Sequence, residues 1–135
     1  MDENINQAIH NEAFLNSIEE KCPDTFFDWK ITIVFYIALH YLRAYANIKK
    51  VRIGASHKEL LYHSNPNHID AINPLSKNAY RIYRDLFSAA HNSRYQGFLD
   101  KTHRMLLMEQ EFIRCKKNLR ELKKYLKSQG LKIVL

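Results

Sequence analysis

Arginine and histidine meet on one face of a single segment, Tyr80 to Tyr95, and that pairing is the best candidate for chemistry in the 135 residues. At about 100° per residue, a helix here gathers Arg84, Ser88, His91 and Tyr95 into one stripe. Leu75, Ala79, Ile82, Tyr83, Leu86 and Ala90 fall nearly opposite. A guanidinium stays charged and offers a planar donor fork to phosphate oxygens. An imidazole titrates near neutrality and can move a proton to or from a ribose oxygen. RNA carries its own nucleophile, the 2′-hydroxyl, so the pair suits phosphodiester cleavage without a metal. Arg84 and His91 lie about 10 Å apart along a helix axis, too far for one phosphate to touch both. Two facing copies would bring the pair together, so the expected catalytic unit is a homodimer using Arg84 and His91.

Spacing alone is weak evidence. With eight arginines and seven histidines, about 1.2 matches to Arg-x(4–6)-His arise by chance. The chain holds two, Arg84-x6-His91 and Arg52-x4-His57, and the second falls at a loop and helix cap. Other candidates are substrate-binding. Ser88 shares the stripe, and Arg94-Tyr95 is placed either as a phosphate clamp with a stacking ring or as a helix-end arginine on carbonyls beside a packed tyrosine. His40 lies mid-helix with Tyr36 and Arg43 one turn away on either side, placed either for a core hydrogen bond or for a nucleotide or RNA pocket. His57, His63 and His68 span a helix and a loop without a carboxylate or cysteine partner, so no metal site and no cofactor are expected.

These residues need helices to position them. Only three glycines and three prolines occur, and 46% of residues are hydrophobic, which favours long helices around a core and excludes global disorder. One domain over 1–135 is expected. A first helix spans roughly Asn4 to Glu20, with Ile5, Ile9, Phe14, Leu15 and Ile18 as its apolar face. Cys22-Pro23 breaks it, and Asp24 is placed to cap a second helix from about Thr25 to Ala46. That helix, from Trp29 through Leu42, is apolar on most sides and belongs at a bundle centre. Ser56 and Glu59 have capping-box spacing for a short helix to His63. Asn73-Pro74 predicts the start of the helix that ends near Tyr95.

Asp100 is placed to cap a last helix, with Gly130 as its stop. Met105, Met108, Phe112, Cys115, Leu119, Leu122 and Leu126 form its seam, packed on the second helix as one member of an antiparallel bundle. The fold expected is all-α, four long helices plus a short one. The apolar tail, Leu131 to Leu135, docks on the body or on a partner. The longest apolar run, Ile31 to Leu42, is shorter than the roughly 20 residues of a membrane span. The acidic, polar N-terminus lacks signal-peptide character, and Cys22 and Cys115 follow no disulfide or metal pattern, so a reducing cytoplasm is expected.

Charge is uneven. Residues 1–28 hold seven carboxylates against Lys21, a net of −6, so with a formal net charge of +7 the rest of the chain carries +13. A basic body favours polyanions, RNA or DNA first, or is ordinary surface charge for solubility. The run Arg114, Lys116, Lys117, Arg120, Lys123, Lys124, Lys127 reads as a solvated face of the last helix.

The series Trp29, Phe35-Tyr36-x-Ala38-Leu39-His40, Ser56-His57, Tyr83-x-x-Leu86 and Ser93-Arg94-Tyr95 resembles the HEPN superfamily, most of all a branch of small bacterial members, over about residues 11–126. The resemblance implies an up-and-down bundle of four or five helices that commonly dimerises. It implies a metal-independent RNase of a toxin–antitoxin, abortive-infection or CRISPR-linked system, with Arg84-Asp85…His91 as the motif facing its mate across the dimer cleft. It equally allows a non-catalytic module that binds RNA, nucleotide, or an antitoxin or nucleotidyltransferase partner. A purely structural helical subunit is the third alternative.

Overall fold

The computed structural model describes residues 2–93 and 101–135, with 101–105 by backbone alone. Among these residues the protein is all-helical: α1 (Glu3–Lys21), α2 (Phe27–Ile48), α3 (His57–Ser64), α4 (Lys77–Ser93) and α5 (Lys101–Ser128). Four long helices and one short one are therefore present. The expected end of α4 at Tyr95, the Asp100 cap and the Met105 side chain lie outside the described residues.

α2 is the hub, packed against α1, α4 and α5. Its composition explains this, since Ile31, Val34, Phe35, Ile37, Ala38, Tyr41, Leu42, Ala44 and Tyr45 are all buried. Length and apolarity would also allow α2 to cross a membrane, although 61% of its most apolar window is buried inside the protein. α1 runs antiparallel to α2: Asn4 meets His40 near one end, and the Cys22 carbonyl meets Lys30 at the other. α5 runs antiparallel to α4 and parallel to α2, pairing Phe112 with Phe27 and placing Lys123 over the Tyr41 ring. The expected seam is buried from Met108 to Leu126. Gly130, at φ +109°, ends α5 in a conformation that a side chain would strain. The tail then docks on the body, with Leu131 and Ile133 buried and Lys132 and Val134 pointing out.

Several local expectations are corrected. Asp24 does not cap α2; that place falls to Phe26, in the left-handed conformation (φ 59°) and without a side-chain cap. The loop is closed instead by Lys30, fully buried, which donates to the carbonyls of Cys22 and Pro23 and lies 4.5 Å from the Phe27 ring centroid. Those acceptors and that ring make the burial of an ammonium tolerable. Asn73 does not cap α4 either. Its N–H donates to the His63 carbonyl, and the helix starts later, where the Ser76 hydroxyl accepts from Ala79 N–H. Ser56 does cap α3, accepting from Glu59 N–H at 3.1 Å, while the Glu59 carboxylate accepts from the Ser56 hydroxyl. Ile9, Phe14 and Trp29, expected in the core, stand about half exposed or more.

The acidic first segment and the basic last helix find each other. Glu19 pairs with Lys116 at 2.7 Å, and Glu12 with Lys123 at 2.9 Å. Glu12 also accepts from the Tyr41 hydroxyl. The basic run is thus not simply a solvated face. Lys123 is buried in an inter-helix network, Arg114 and Lys124 pair along α5, and Lys117, Arg120 and Lys127 are exposed.

Candidate functional site

α4 presents its polar stripe to solvent. Arg84, Ser88 and His91 are exposed, whereas Leu75, Ala79, Ile82, Tyr83, Leu86 and Ala90 are buried. The amphipathic period forces this division, because α2 and α5 cover the apolar side. On the flank toward α5, Ser88 borders a cleft of about 280 Å³ together with Asp85, Asn92, Glu111 and Arg114. Arg81 pairs with Asp85 and Arg114 with Glu111, so this flank is balanced in charge. On the other flank the stripe is aromatic: Phe87 lies 6.3 Å from the His91 ring and stacks on His57 at 4.4 Å. Arg94 and Tyr95, expected to bind substrate, lie outside the described residues.

A second constellation was only partly legible in the sequence. On α2, positions 29, 33, 36, 40, 43 and 47 recur in steps of four and three, placing Trp29, Ile33, Tyr36, His40, Arg43 and Asn47 along one outward stripe. That period, inside a helix otherwise apolar, was the available signal. His40, a substrate-binding candidate, is half-buried, and its Nδ1 lies 2.9 Å from Asn4 Oδ1 on α1. Arg43 donates to the carbonyls of Gly54, Ala55 and Ser56, and so holds the loop that leads into α3. That loop delivers His57, which the sequence places only at a loop and helix cap. Its Nε2 instead lies 2.9 Å from the Tyr83 hydroxyl on α4, and its ring also meets Phe35 edge-on.

Electrostatics follow from this packing. Burial, and secondly the Arg43 charge, hold both His40 and His57 below the ordinary imidazole pKa, so both are neutral at pH 7. Tyr83 is buried and its hydroxyl is pushed far above the ordinary phenol range, mainly by that burial. The Cys115 thiol, pushed up to about 12 chiefly by burial, is no nucleophile. His63 and His68 go elsewhere: His63 Nδ1 faces the Ile72 N–H at 3.4 Å, and His68 stacks on Tyr62 at 4.4 Å. Among the described residues no group of three metal-ligating side chains converges.

No family model matches the chain, and neither a curated protein nor a solved structure shows significant similarity to it.

Proposed function

We propose that this protein is a HEPN-like, metal-independent endoribonuclease of a toxin–antitoxin or phage-defence system, acting as a homodimer in the cytoplasm. The observation that carries this reading is the joint exposure of Arg84, Ser88 and His91 on one face of α4. One copy is incomplete, because its Arg84 and His91 stand about 10 Å apart along the axis. Two α4 faces meeting across a two-fold axis would place both pairs around one phosphate. One His91 then takes the proton from the ribose 2′-hydroxyl as that oxygen attacks phosphorus. The other protonates the departing 5′-oxygen as the P–O5′ bond breaks, leaving a 2′,3′-cyclic phosphate and a 5′-hydroxyl. The Arg84 guanidiniums stabilise the charge that develops on the phosphoryl oxygens.

The test is RNA cleavage in EDTA with end-group analysis. Cyclic phosphate ends are expected, and Arg84→Ala and His91→Ala should each lower the rate by about a hundredfold or more. RNA left intact at high protein concentration would refute the nuclease reading.

A second reading has its own support in the His40–Arg43–His57–Tyr83 network, which converges within a single chain. It is a non-catalytic module that binds RNA or nucleotide, alone or beside a nucleotidyltransferase-type partner. Binding without turnover, unchanged by His91→Ala, would select it.

A further inference from the structure

We infer that the outward stripe of α2 is a ribonucleotide subsite: a base stacks on Tyr36, a ribose hydroxyl donates to Nε2 of His40, and the adjoining phosphate lies between Arg43 and Arg52. This rests on the nucleotide-binding reading of the α2 network and is independent of Arg84 and His91.

Hydrogen-bond direction makes the argument. Asn4 Oδ1 is an acceptor, so the bond at 2.9 Å puts the His40 proton on Nδ1. The ring is neutral, and its Nε2 therefore keeps a bare lone pair. Such an atom pairs with a donor. A phosphate oxygen, acceptor only, cannot satisfy it, whereas a ribose hydroxyl can, and the 2′-hydroxyl is what separates RNA from DNA. Tyr83 is fully buried and stays protonated, and its hydroxyl meets His57 Nε2. That nitrogen of His57 is therefore already engaged within the protein.

The surroundings fit the rest of a nucleotide. Tyr36 lies one turn before His40, its ring 5.3 Å from Phe35 and 42% of its surface open to solvent. An exposed ring braced by a buried neighbour tilted 60° to it can stack a base. From Tyr36 to Arg43 is about 10 Å along the helix, comparable with the span of one nucleotide from base to phosphate. At the Arg43 end a cleft of about 440 Å³ opens, bordered by Asn4, Arg43, Asn47, Arg52 and Gly54. Arg52 is exposed there. Two nearby carboxylates have partners: Asp2 caps α1 and accepts from Asn47, and Glu59 accepts from the Ser56 hydroxyl. A purely structural network accounts for Asn4, Arg43, His57 and Tyr83. It does not use the exposed Tyr36 ring or, one turn on, the His40 Nε2, which no protein donor meets among the described residues.

The test compares an eight-nucleotide RNA with its 2′-deoxy and 2′-O-methyl forms, by fluorescence anisotropy. The full chain is used in a His91→Ala background so that no turnover intervenes. RNA should bind about tenfold more tightly than either analogue, the effect of one hydrogen bond. His40→Ala should bring RNA down to the level of the analogues, and Tyr36→Ala should weaken all three about tenfold or more. Asn4→Ala, which leaves the His40 tautomer unspecified, should reduce the preference while sparing the Tyr36-dependent binding. Equal affinity for the three forms overturns the subsite. So does binding that falls with Arg84→Ala yet ignores Tyr36→Ala and His40→Ala, and that result leaves the α4 face standing. The reverse pattern keeps the subsite and removes the α4 face from RNA binding, and no binding at all overturns both.

Discussion

The outward stripes of α4 and α2 have similar side chains and opposite construction. On α4, Arg84 and Ser88 project into solvent from a helix whose inner face does all the packing. On α2, three polar residues are tied to other elements: His40 to α1, Asn47 to the Asp2 cap of α1 and Arg43 to the loop before α3, which in turn brings His57 to Tyr83 on α4. A stripe of the first kind follows from helical periodicity alone and gains a function only when something else approaches. A constellation of the second kind has its protonation states set by the fold before any ligand arrives.

The comparison can be broken by asking which stripe the fold depends on. The largest effect is expected at Tyr83→Phe, which removes the buried hydroxyl bonded to His57 and should lower unfolding free energy by about 1–2 kcal/mol in urea titrations. A neutral result would make the α2 network incidental. Acidification probes the same network. His40 and His57 have pKa values in the folded protein below the ordinary 6.5, so the unfolded chain binds more protons than the native one. Their contribution is complete above pH 6.5 and is lost as pH falls from there through the lowered folded values. The urea midpoint should drop between pH 7.5 and 5.5, and His57→Gln should flatten that drop. A midpoint unaffected by pH would contradict the neutral imidazoles. Arg84→Ala sharpens the contrast from the other side: as an exposed substitution it should shift stability by no more than about 0.5 kcal/mol, while the proposed nuclease activity should fall about a hundredfold or more.

Much of the frame was legible because it rests on local periodicity. The buried side of α4, the α5 seam from Met108 to Leu126, the Ser56 cap and the Gly130 stop are all readable as spacing. Asp24 and Asn73 were misread for a common reason. Each has a good capping residue type, but the chain enters its helix two or more residues later, where Lys30 binds the loop carbonyls and the Tyr125 hydroxyl of α5 accepts from Ser76 N–H. His57 was misread because its partner, Tyr83, is 26 residues away, and no local pattern announces such a bond.

Composition and helical period therefore determined that this protein is all-helical, that α2 is its buried axis and that Arg84, Ser88 and His91 face outward. Only the tertiary structure decided that the acidic first helix answers the basic last one. Only it decided that His40 and His57 are neutral, with one nitrogen of each already bonded. The physical reason is range. Side-chain direction on a helix is a property of neighbours three and four residues apart. Protonation and hydrogen-bond direction depend on burial and on charges brought together from distant parts of the chain.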